Sequence, residues 1–101
     1  MKIYHIVLPD VWETFKDKEL YEAESLATEG FIHCSFAEQL EGVLGRYYQG
    51  VEKVLVMEIN PDKLTSKLVN EPSTNDEVYP HIYGKINVDA IVEIKERILN
   101  K

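Results

Sequence analysis

Apolar and polar residues alternate along this chain in a way that divides it into short strands and helical stretches. Ile3 to Leu8 is an apolar run that stops at Pro9-Asp10. There proline removes a backbone donor, and the aspartate is placed to cap a helix. The spacing of Val11, Trp12, Phe15 and Leu20 predicts that helix, with Glu13, Lys16, Asp17 and Lys18 on its exposed side. Tyr21 to Thr28 is less regular, and Glu29-Gly30 reads as the turn that feeds a strand from Phe31 to Ser35. Ser35 followed by Glu38 has the spacing of a capping box. It precedes a second helix in which Phe36, Leu40, Val43, Leu44 and Tyr47 recur at helical spacing, with Gly50 just past its end.

Lys53 to Ile59 is β-branched and apolar apart from Glu58, which predicts a central strand closed by the turn Asn60-Pro61-Asp62. Leu64 to Glu71 alternates as a half-exposed strand does, and Pro72 to Glu77 is a polar, acidic loop expected to be mobile. Tyr79 to Gly84 is a further strand and Asn87-Val88-Asp89 a turn. Ala90 to Leu99 fits a strand, or a helix with Ile91, Ile94 and Ile98 on one side; a strand to about Ile94 is the favoured reading. No repeat or low-complexity linker interrupts the chain, so residues 1–101 are expected to form a single α+β domain with a mainly antiparallel sheet and two helices.

With 101 residues, 45% of them hydrophobic, the chain is long enough for one core. Its apolar runs are too short to span a bilayer and its start lacks the pattern of a signal peptide, so a cytoplasmic protein without a membrane partner is expected. Cys34 is the only cysteine, which rules out an internal disulfide and a cysteine-rich zinc site. Eleven Lys plus Arg face eighteen Asp plus Glu, a formal charge of −7. Such a surface repels long nucleic acids, whose non-specific affinity comes from cations neutralising phosphates. A small ligand with one or two phosphates stays compatible, because a local pocket can be positive on an acidic protein. Only Arg46 and Arg97 carry a guanidinium, and Arg46 with Tyr47-Tyr48 closes the second helix, where a cation complements the dipole.

All three histidines fall inside predicted strands. Strand side chains alternate faces, so His33 and Ser35 point one way while Ile32, Cys34 and Phe36 point the other; His81 shares a face with Tyr83 in the same manner. Two strands thus each offer an imidazole and a hydroxyl, and His5 on the first strand could add a third imidazole. A plainer reading competes at every position: hydrogen-bonded structural histidines, Ser35 as a helix cap, Tyr83 at the core edge, Glu71 as an exposed strand-end charge. Cys34 beside His33 faces the opposite way, so a buried structural thiol is expected there and not a nucleophile. His5, His33 and His81, with water or Glu71, could instead ligate zinc, although no close His pair supports this.

The order Tyr4-His5-Ile6, Gly30-Phe31-Ile32-His33-Cys34-Ser35-Phe36, Glu58-Ile59-Asn60-Pro61-Asp62-Lys63-Leu64, Glu71 and Tyr79-Pro80-His81-Ile82-Tyr83-Gly84 resembles the bacterial family called domain of unknown function 952 over nearly the whole chain. The family is grouped by fold with ADP-ribosyltransferases and RNA 2′-phosphotransferases. The resemblance therefore implies an ADP-ribosylation-like fold, a curved and split antiparallel sheet around a cleft for NAD or a related nucleotide. It implies His5, Ser35 and Tyr83 as cofactor-binding residues, and His33, His81 and Glu71 as the catalytic set. Many such transferases carry a glutamate in their third motif to steady a cationic transition state. This chain has His81 in the most similar place, which leaves Glu71 as the nearest acidic candidate. The phosphotransferases hold phosphates with arginines, and with Arg46 and Arg97 alone that specific activity is not expected. A non-catalytic module that binds a small ligand in the same pocket is the alternative.

Overall fold

Burial along the longest apolar run explains the first sheet. In β4 (Lys53–Ile59), Val54, Leu55, Met57 and Ile59 are buried and Lys53, Val56 and Glu58 half-buried, as expected of a strand with neighbours on both edges. In the computed structural model, which describes residues 2–99, β4 lies between β1 (Ile3–Val7) and β8 (Ile91–Ile98), antiparallel to both. Glu58 stays half-exposed opposite Tyr4 and Glu93. The final segment is a strand, and it runs to Ile98 instead of ending near Ile94, because Ile98 completes the ladder opposite Lys53. Val88–Ala90 is a single 3-10 turn ahead of it.

The second sheet has the order β3 (Ile32–His33), β6 (Val78–Tyr83), β5 (Lys67–Pro72), again antiparallel throughout. Among the described residues one bridge joins the two sheets: Tyr4 and Ser35 exchange backbone hydrogen bonds of 2.8 and 2.7 Å. The strand expected from Phe31 to Ser35 is thus divided, since Ile32 and His33 pair with β6 while Ser35 pairs with β1. A short ribbon, β2 (Leu20–Tyr21) with β7 (Ile86–Asn87), lies beside them. The core holds Ile3, Tyr21, Ile32, Met57, Ile59 and Ile82, with Trp12 and Phe15 packed against Tyr21. A smaller cluster of Ile6, Leu44 and Val54 lies under the third helix.

Three α-helices are described, not two. In α1 (Pro9–Phe15), proline occupies the first position and Leu8 the cap, without a side-chain cap bond; Asp10 sits in the first turn, where its charge favours the dipole but caps nothing. Leu20 does not extend this helix; it pairs with Asn87 in the ribbon. The irregular stretch after Tyr21 contains α2 (Glu24–Glu29), ended by Gly30 at φ 91°, whose N–H reaches the Ser25 and Leu26 carbonyls. Ser35 does not cap α3 (Leu40–Tyr47): Phe36 holds the cap position of the turn that leads into it, and Ser35 pairs with Tyr4. Gln39 does the work expected of Glu38, its side-chain oxygen accepting the Phe36 N–H at 2.9 Å in a 3-10 turn over Ala37–Gln39.

The loop before β6 is tied down at its base. Ser73 N–H donates to the Glu77 carbonyl at 2.9 Å, and Gln39 Nε2 donates to the Val78 carbonyl at 2.7 Å and to Glu77 at 3.1 Å. No helix among the described residues is long and apolar enough to cross a membrane.

Candidate functional site

Cross-strand register brings the two histidine strands together. His33 lies directly opposite His81 in the β3–β6 ladder, so both project from one face while Ile32 and Ile82, their neighbours, project into the core. Their rings meet edge to face, with centroids 5.4 Å apart. Across the next ladder Glu71 opposes Tyr79, one step along the same face from His81. Its Oε1 accepts the His81 Nδ1–H at 2.7 Å and the Tyr83 hydroxyl as well. These two donors hold the Glu71 carboxyl below the usual carboxylate range, the Tyr83 bond contributing most, and the carboxylate in turn raises the Tyr83 phenol.

A carboxylate acceptor fixes the His81 proton on Nδ1. The other ring nitrogen, Nε2, is buried with no hydrogen-bond partner among the described residues. His81 is only 3% exposed, because Phe31 stacks on its ring at 4.1 Å and 21°. Phe31 also meets His33 at 4.9 Å and Tyr83 at 5.4 Å. An unpaired buried nitrogen costs about 1–3 kcal/mol, so this arrangement favours any group that gives Nε2 a partner.

His5 is held apart from this cluster. Its Nδ1–H donates to the His33 carbonyl at 2.7 Å and its Nε2 accepts the Tyr21 hydroxyl at 2.8 Å. Burial holds its pKa down at about 4, so the ring is neutral at pH 7 and ties β1 to β2 and β3. With both ring nitrogens engaged, His5 is not available to a zinc ion shared with His33 and His81. No group of three or more potential metal ligands occurs among the described residues.

A cleft of about 420 Å³ opens beside His33, between β3 and α3. His33, Ser35, Tyr47, Tyr48, Ser73 and Tyr79 line it, with Val43 and Glu29. A second hollow of about 320 Å³ adjoins it, sharing His33, Ser35, Val43 and Tyr48 and reaching His5 and Tyr21. Of the residues expected to line one cleft, His33 and Ser35 do so and His5 reaches the adjoining hollow. His81, Tyr83 and Glu71 line neither; they stand on the sheet face behind His33, under Phe31. Cys34 is part of the wall, and burial pushes its thiol well up, as expected of a structural residue. His33 Nε2 pairs with Glu29 at 3.1 Å where both are half-exposed.

Three contributors lay outside the sequence reading. Phe31 shares strand parity with His33, which is the signal that would have placed it. Tyr48 and the long reach of Arg46 to the Tyr79 hydroxyl, 2.7 Å, had no such signal, since the helix had to be docked first. The cleft combines tyrosine rings with hydroxyls and an imidazole, a set that holds a planar ring by its faces and a sugar by its edges.

Residues 6–94 match the model of a family described as Protein of unknown function (DUF952). Among solved structures, the crystal structure of protein CC0527 from Caulobacter crescentus is similar, with a TM-score of 0.84 at 24% identity over 99% of this chain and 87% of that one. The crystal structure of its double methionine variant gives 0.83 at 23% over the same shares, and its solution NMR structure 0.77 at 21% over 98% and 86%. Identities this low speak for a shared fold alone. No curated protein matches the sequence.

Proposed function

The chain belongs to the DUF952 family, and from that footing we propose that its cleft binds NAD or a closely related nucleotide whose ribosyl end passes His33 to the adjoining sheet face, where Glu71, His81 and His33 form a catalytic set for transfer of the ribosyl group. The observation that carries this reading is the Glu71 carboxylate, held ionised between His81 Nδ1 and the Tyr83 hydroxyl on the sheet face that also bears His33. Ribosyl transfer needs little proton chemistry at a neutral leaving group; it needs a held ribose and a negative charge facing the carbon that becomes positive. His33 and Ser35 supply polar groups for ribose hydroxyls, and Tyr79 and Tyr48 supply ring faces at the wall. Two antiparallel sheets joined by a single bridge also suit the split sheet of an ADP-ribosylation-like fold.

A second reading, binding without turnover, is favoured by one observation: Phe31 covers His81, and neither Glu71 nor Tyr83 lines the cleft. Nicotinamide release from NAD, measured with wild type and Glu71→Gln, separates the two. The transferase reading predicts release that falls about 100-fold or more in the variant, with NAD affinity changed less than about threefold. Binding without release establishes the module reading. Absence of binding by the wild type overturns both.

A further inference from the structure

Arg46 has a partner that its position on the helix does not explain. A cation in the last turn of α3 complements the dipole, but that accounts for the charge and not for where the guanidinium goes. It reaches across to β6, where Nη2 donates to the Tyr79 hydroxyl at 2.7 Å. The guanidinium carbon lies 5.7 Å from the centre of the Tyr47 ring. Gly42, one turn back, leaves room for it: a Cβ there would come within 3.2 Å of Nη1. Arg46 does not itself line the cleft, but Tyr47 and Tyr79, the two rings its guanidinium touches, both do, which puts the guanidinium next to its edge.

Among the described residues the charge there has no direct ion-pair partner. Arg97, the other arginine, is paired with Glu41 at 2.7 Å. Among the described residues no carboxylate lies within ion-pairing distance of Arg46, in a chain with eighteen acidic residues against eleven basic ones. The nearest relation to a carboxylate is indirect: the Tyr79 hydroxyl donates to Glu77 Oε1 at 3.2 Å while Gln39 holds the other carboxylate oxygen at 3.1 Å. The phenol therefore stands between the two charges, and the remaining guanidinium donors have no acceptor among the described residues. A planar, fixed, unpaired guanidinium beside tyrosine rings suits a phosphate on a flat ligand.

We propose that Arg46 is the phosphate-recognising group of the cleft, with Tyr79 as its positioning residue: the ligand's mono- or diphosphate lies at the Tyr47 and Tyr79 end, its ribose at the His33 and Ser35 end. This rests on the nucleotide reading for the ribose end and on the geometry of Arg46 alone for the phosphate end. It orients the ligand, and it makes phosphate the source of affinity on an otherwise repelling surface.

The test compares NAD, nicotinamide riboside and inorganic pyrophosphate by calorimetry with wild type, Arg46→Gln, Arg46→Lys and Tyr79→Phe, each first checked for native folding by amide NMR. Wild type is expected to bind NAD at least about tenfold more tightly than the riboside. Arg46→Gln is expected to bring NAD down to the level of the riboside and to abolish pyrophosphate binding, without altering riboside affinity. Arg46→Lys, which keeps the charge but not the fork, should fall between, as should Tyr79→Phe. Equal affinity of wild type for NAD and riboside, or an equal loss of both in Arg46→Gln, overturns the assignment. If neither NAD nor the riboside binds, the nucleotide reading fails. Pyrophosphate then decides the rim on its own: binding that disappears in Arg46→Gln supports the anion site, and no binding to wild type overturns it.

Discussion

At the scale of single residues, the three histidines of one pattern have three different situations. His5 is sealed between the His33 carbonyl and the Tyr21 hydroxyl, and its neutral form is the one the fold accepts. Its pKa of about 4 in the folded protein lies below the 6.5 of an ordinary histidine, so between those values the unfolded chain binds the extra proton. Stability from this group is complete above pH 6.5 and is lost as the pH falls towards 4, by on the order of 3 kcal/mol. Urea unfolding at pH 7.5 and 4.5 should show this loss, and His5→Gln should flatten that part of the pH dependence; an unchanged slope would contradict the assignment. Cys34 makes the opposite kind of prediction. Buried, with its thiol pushed up, it should resist a thiol-labelling reagent at pH 8 in the native state and react fully in urea; rapid native labelling would show that the wall opens. His81 differs from both, because Glu71 fixes one nitrogen and leaves the other without a partner.

At the scale of elements, period-two patterns were legible because burial enforces them. The strands around His5, His33 and His81 and the central run to Ile59 could be read from the chain, and the shared parity of His33 with Ser35 and of His81 with Tyr83 followed directly. What stayed hidden depended on tertiary partners. The six residues of α2 are too short to show helical periodicity. Ser35 looked like a cap until Tyr4 claimed its backbone, and the bond of Glu71 to His81 required the β5–β6 register. Gly30, at the join of α2 and β3, carries the chain at φ 91°, with open space where a Cβ would go. Gly30→Ala should therefore cost about 1 kcal/mol through the left-handed backbone and not through a clash, measured as a shift in urea midpoint. Because β8 pairs with β4 out to Ile98, amides facing β4 between residues 94 and 98 should exchange slowly; fast exchange past Ile94 would restore the shorter strand.

At the scale of the whole molecule, two three-stranded sheets meet at one bridge, and the cleft opens beside that bridge with α3 as its far wall. A net charge of −7 disfavours polyanions on electrostatic grounds, while Arg46 beside the cleft has no ion-pair partner among the described residues. Wild-type protein should give no mobility shift with duplex DNA or long RNA at 0.1 M salt, whereas a shift there would place a basic patch outside the account. The central claim, a nucleotide cleft at His33 and Ser35, is tested most directly by an amide and imidazole NMR titration with NAD. Saturable shifts are expected at His33, Ser35, Tyr48 and Tyr79 and at the Arg46 side chain, with β8 unchanged. No shifts at millimolar NAD, or shifts confined to β8 and its exposed edge, would contradict it.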